Sequence, residues 1–155
     1  MAKFPTEVEK SITVQVPLSK AYKFFWDVVG SSECIPGLST CKKVSKDTYE
    51  FIYEPRSTGP VSMVARYTAK YEGNGKDKIS FAGVNAKEDN TDVNGEIRLQ
   101  ASGKDATKIV LRQQLAPDTP VPRLLQSLIR SFVDKETADS VKQYLANVKE
   151  TLEEA

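Results

Sequence analysis

At 155 residues, 39% of them hydrophobic, the chain is expected to be one domain, residues 1–155, with a substantial core. Its 22 Lys and Arg almost cancel its 21 Asp and Glu, which removes any general case for a nucleic-acid or anionic-membrane partner. The absence of histidine removes the commonest general base and the commonest neutral metal ligand together.

Met1–Lys10 is polar and charged, unlike a signal peptide, and no apolar run approaches the roughly 20 residues of a transmembrane helix. Two cysteines, Cys34 and Cys41, make no disulfide framework, so the expected location is cytoplasmic.

Glu7–Val16 alternates: Val8, Ile12, Val14 and Val16 share a face, as in a half-buried strand. Pro17 ends it. Ser19 is placed to cap a short helix over Lys20–Val28, stopped by Gly30, and a second short turn runs from Ser31 or Ser32 to Pro36-Gly37. Strands are expected over Leu38–Ser45 and around Tyr49, Phe51 and Tyr53, with Arg56–Pro60 a loop. Val61–Tyr71 reads as one strand in which Val64 breaks the alternation. Gly73-Asn74-Gly75 is a hairpin turn, since Gly and Asn tolerate positive φ, and Lys78–Val84 follows as a strand. Thr91–Ala101 and Thr107–Leu115 are two more strands.

Asp118–Ala155 then reads as one long helix, with Pro120 and Pro122 at its first turn and no later Pro or Gly. The apolar residues of Val121–Val133 and of Ala138–Leu152 point roughly 160° apart on an ideal helix. Either the helix bends near Asp134–Thr137, or its two halves cover different things.

The predicted fold class is α+β: seven antiparallel strands, curved around a long C-terminal helix, with two short helices after the first strand. One helix leaves space in such a hollow unless large side chains fill it.

This order resembles the helix-grip fold of the START and birch-pollen-allergen (Bet v 1-like) superfamily, SRPBCC. Within it, Trp26-Asp27-Val28 followed by Cys34-Ile35-Pro36-Gly37 resembles the CoxG-like family, named for its link to carbon monoxide dehydrogenase. Gly59-Pro60-Val61 and the Leu124, Leu128-Ile129 pattern extend that resemblance, which runs from Val8 to Leu152. Directly after Gly37, where members of that family often carry a second cysteine, stands Leu38. The resemblance implies a pocket for a hydrophobic ligand and an oxidoreductase as a possible partner.

The residues expected to line that pocket are Trp26, Ile35, Tyr53, Met63 and Tyr67, with Phe81, Gln113, Leu125, Leu128 and Phe132. Gln113 is the notable polar one: it falls in phase with inward Ile109 and Leu111, and a buried amide needs a partner. Cys34 and Cys41 read as small core residues, and no metal, cofactor or catalytic residue is expected. Arg66, Arg98 and Arg112 read as an outer face with cross-strand charge pairs; an anion site is the alternative. The expected function is non-catalytic binding of a lipid-like or other hydrophobic molecule. The alternatives are a polyketide cyclase or aromatase-like enzyme on the same fold, and an accessory protein of a carbon monoxide dehydrogenase-type oxidoreductase.

Overall fold

The computed structural model describes residues 2–58 and 61–154. The chain enters through a strand of 2 residues, β1 (Ala2–Lys3), and one of 9, β2 (Thr6–Val14). Helices α1 (Leu18–Trp26) and α2 (Val28–Ser31) and a 3-10 turn (Ser32–Cys34) follow, then strands β3 (Leu38–Ser45) and β4 (Thr48–Tyr53). A small ribbon, β5 (Arg56–Thr58) with β6 (Val61–Met63), precedes β7 (Arg66–Gly73), β8 (Lys78–Gly83), β9 (Thr91–Ala101) and β10 (Thr107–Thr119). Helix α3 (Gln126–Glu154) closes the chain after a 3-10 turn at Arg123–Leu125.

The main sheet is antiparallel, in the order β1/β2–β10–β9–β8–β7–β4–β3. Both β1 and β2 pair with β10, so its 8 strands fill the seven expected positions. The alternation that predicts these strands sets their faces. Val93, Ile97 and Leu99 of β9 and Ile109 and Leu111 of β10 are buried inward. Outward, Glu96 stands between Lys78, Arg98 and Arg112 at 3.3, 3.6 and 3.7 Å, and Glu50 accepts from Arg66 at 2.7 Å. The three arginines of that face are thus engaged by carboxylates.

α3 lies in the hollow of the sheet. Its buried residues, Ile129, Val133, Thr137, Val141, Leu145, Val148 and Leu152, advance mostly by four. Each such step turns the stripe by about 40° around the helix. The three steps from Ile129 to Val141 carry it from the direction of the first half to that of the second. The offset between the two halves is therefore a buried stripe that spirals to follow the sheet. Ile129 and Val133 pack with Phe4 and Val61 in one apolar cluster, and Val141 to Leu152 belong to the main core.

Four local expectations change. First, α1 starts at Leu18, with Pro17 in the cap position and no side-chain cap; the Pro17 carbonyl accepts from Lys20 and Ala21. Second, Gly30 lies inside α2, because the Asp27 carboxylate accepts its N–H at 3.1 Å and starts a new turn there. A Cβ at Gly30 would stand 2.2 Å from Asp27 Oδ2. Third, Arg56–Thr58 is a strand, and the expected Val61–Tyr71 strand breaks between Met63 and Arg66, where Val64 turns outward. Gly59 and Pro60 lie outside the described residues. Fourth, β10 runs through to Thr119, so Pro120 and Pro122 belong to the connection and the α-helix begins only at Gln126.

Candidate functional site

Between the inner face of the sheet and the middle of α3 is a cavity of about 180 Å³. Its floor comes from the central strands. Phe81 of β8 and Tyr71 of β7 stack with ring centres 5.4 Å apart and planes at 28°. Phe81 pairs across the ladder with Gly95 of β9, and the ring lies directly over that glycine. A Cβ there would be 2.7 Å from Phe81 Cζ and 2.2 Å from the Arg112 carbonyl oxygen. Only glycine lets the ring settle onto the sheet and the two backbones approach so closely. Ile97, Leu111 and Leu115 complete the apolar wall from β9 and β10, and Phe132, Val133 and Val141 supply it from α3.

The polar groups fall into two sets. Inside, the Tyr53 and Tyr67 hydroxyls share a hydrogen bond at 3.0 Å, and Gln113 projects from β10. The rim carries Glu54, Arg56 and, from α3, Glu136, and Arg56 and Glu136 form an ion pair joining the β5–β6 ribbon to the helix. These are the charged residues of the wall among those described, and each is at least partly exposed to solvent.

Burial sets the protonation of the interior phenols. It pushes the Tyr67 and Tyr71 hydroxyls well above the ordinary tyrosine range, with neighbouring phenols adding to the effect. Tyr144 and Tyr53 are raised by burial as well, although the shared hydrogen bond partly offsets this for Tyr53. At neutral pH these are phenols that donate hydrogen bonds, not phenolate bases. Burial also raises the Cys34 and Cys41 thiols. Cys34 is buried beside Thr151, and Cys41 is partly buried on β3.

Seven of the ten residues predicted to line the pocket stand in the wall of this cavity: Ile35, Tyr53, Met63 and Tyr67, with Phe81, Gln113 and Phe132. Trp26 is elsewhere. It is 37% exposed and stacks with Tyr22 against Gly73, and the Tyr22 hydroxyl accepts the Gly75 N–H at 2.8 Å. It pins the β7–β8 hairpin. Leu125 packs on the Phe4–Val61 cluster, and Leu128 is 53% exposed. Both precede the point at which the spiral stripe meets the cavity. Tyr71, Tyr144, Ala65 and the Arg56–Glu136 pair also line the cavity, beyond the ten expected residues. Tyr71 and Tyr144 carried a signal, since both sit on inward faces; Arg56 carried none, because its segment reads as a loop.

No protein-family model matches the sequence, and no curated protein matches it. Solved structures do match in fold. A START superfamily protein from Mycobacterium smegmatis superposes with a TM-score of 0.69 at 13% identity, covering 96% of this chain and 97% of that one. The Zhui aromatase/cyclase from Streptomyces sp. R1128 gives 0.68 at 13% identity, covering 96% and 94%. Human STARD10 gives 0.66 at 11% identity, covering 94% of this chain and 62% of that one. The fold is START-like helix-grip. At such identities the likeness is one of fold alone. The narrower CoxG-like resemblance rests on the sequence motifs. Of those, Leu124 and Leu128 face solvent while Ile129 is buried.

Proposed function

We propose that this protein binds a small, mostly apolar molecule in the cavity between the sheet and α3, without chemically altering it. One observation carries the reading: an aromatic-walled space of about 180 Å³ left open at the heart of the fold. Close packing is the rule in protein interiors, and an engineered apolar cavity of about 150 Å³ already takes up benzene. The START-like fold of the neighbours is compatible with such a role.

A cyclase-type enzyme is the alternative that the Tyr53–Tyr67 pair and the fold shared with the Zhui aromatase/cyclase favour. Its weakness is the absence, among the described residues, of an interior base: the wall carboxylates sit at the rim and the phenols are held protonated. An accessory role beside an oxidoreductase rests on the CoxG-like resemblance, with Leu124, 97% exposed, and Leu128 as an apolar surface.

Native mass spectrometry of the freshly purified protein, followed by denaturation and analysis of released molecules, tests the proposal. The expected result is a discrete extra mass, lost on denaturation and diminished in Ala65→Trp, whose side chain would occupy the cavity. A bare polypeptide that also takes up no added naphthalene would overturn it.

A further inference from the structure

The cavity has a polar reader. Gln113 lines it from β10, and among the described residues its carboxamide has no hydrogen-bond partner. In the cross-sheet row that runs from Gln113 through Gly95 and Phe81 to Tyr71, the Tyr71 hydroxyl is likewise without a partner among the described residues. Gly95 contributes no side chain, so the row presents a flat aromatic surface with an amide at one end and a phenol at the other. Both side chains are partly buried and not sealed from water, so a molecule that displaces water from them must offer a hydrogen bond in its place.

The charges exclude as clearly as the amide selects. Those of the wall lie at the rim, and its one cation among the described residues, Arg56, is already engaged by Glu136. An anion drawn inside would lose its hydration and meet only neutral groups. The volume excludes a long lipid chain folded wholly within: about 180 Å³ exceeds the benzene-holding cavity only modestly, which suits one or two fused rings.

We infer that the cavity selects a neutral aromatic molecule of one or two rings bearing a hydroxyl or carbonyl, and that Gln113 reads that group. This rests on the binding reading above. The ring stacks on Phe81, its polar substituent meets the Gln113 amide, and its size is bounded by α3.

Three matched probes test it by isothermal titration: naphthalene, β-naphthol and β-naphthoate, each against the wild type and Gln113→Leu. Leucine matches the apolar neighbours Leu111 and Leu115 in size and phase; Gln113→Met replaces it if thermal melting shows that the first variant is unfolded. The loss of one hydrogen bond should move the ratio of naphthalene to β-naphthol affinity about tenfold toward naphthalene in the variant. β-Naphthoate should bind the wild type at least about tenfold more weakly than β-naphthol. An unchanged ratio, or naphthoate binding as tightly as naphthol, overturns the selectivity and leaves the cavity reading standing. If none of the three binds the wild type, the cavity reading falls and the selectivity with it.

Discussion

Gly95→Ala is the substitution whose effect follows most directly from the geometry. The added methyl would lie 2.2 Å from the Arg112 carbonyl oxygen and 2.7 and 3.0 Å from two atoms of the Phe81 ring. Carbon atoms at ease are about 3.5–4.0 Å apart, so all three contacts must open. The carbonyl belongs to β10, directly before Gln113, and it retreats only by loosening the β9–β10 ladder. The ring retreats only into the cavity. Overpacking costs about 1–3 kcal/mol, and a weakened ladder bond adds about 1 kcal/mol. We expect a loss of about 3 kcal/mol, read as a fall of about 6–12 °C in Tm for a chain of this length. Urea denaturation followed by circular dichroism measures it. Phe81→Ala in the Gly95→Ala background should cost less than in the wild type, because the ring strain is then relieved. A Gly95→Ala protein within about 0.5 kcal/mol of wild type would refute the claim that the floor depends on a missing side chain.

Other expectations follow from the site and its charges. Tyr67→Phe leaves the Tyr53 hydroxyl without its partner and should cost about 1–2 kcal/mol in denaturant melts, whereas the double Phe variant should recover much of that; additive losses would argue against the pair acting as a unit. On Glu50 partial burial works upward, but Arg66 and Lys42 outweigh it and hold the carboxyl below its ordinary value; Glu96 is lowered likewise by Lys78, Arg98 and Arg112. Their contribution is therefore complete above the unfolded carboxyl pKa and is lost as pH falls through the lower folded values, so Glu50→Gln should flatten the acid limb of a Tm-against-pH curve; an unchanged limb would contradict it. The buried phenols act at the other end. With folded values raised, stability falls as pH rises from the ordinary tyrosine range, about pH 10, toward those values, and phenolate absorbance from the interior tyrosines should appear with unfolding and not before it.

The sheet was legible because its strands alternate. In β9 and β10 the inward and outward sets separate by parity alone, and that same parity placed Gln113 on the inner face. Tyr53, Tyr67 and Phe81 were legible for the same reason. The helix was legible as a helix, yet its orientation was not. Leu124 and Leu128 share a phase with each other, and periodicity says only that a face is apolar, not which way it turns. Tertiary packing selected Ile129 and Val133 instead and left the two leucines in solvent. The β5–β6 ribbon was hidden because Arg56-Ser57-Thr58 has no apolar alternation, and what fixes it lies far off in sequence: Val61 against Phe4 and Ile129, and Arg56 against Glu136. Trp26 lies outside the wall because the contact that holds it, Gly73, comes from the end of β7, some fifty residues later in the sequence.

The central claim is that a ligand occupies the space under α3. Methyl-labelled protein titrated with β-naphthol and followed by NMR tests it most directly. The account predicts shifts at the methyls of Leu111, Leu115, Val133 and Val141, which wall the cavity, with those of exposed Val44 and Val84 unmoved. Shifts confined to Leu124 and Leu128, or none at all at saturating probe, would contradict it.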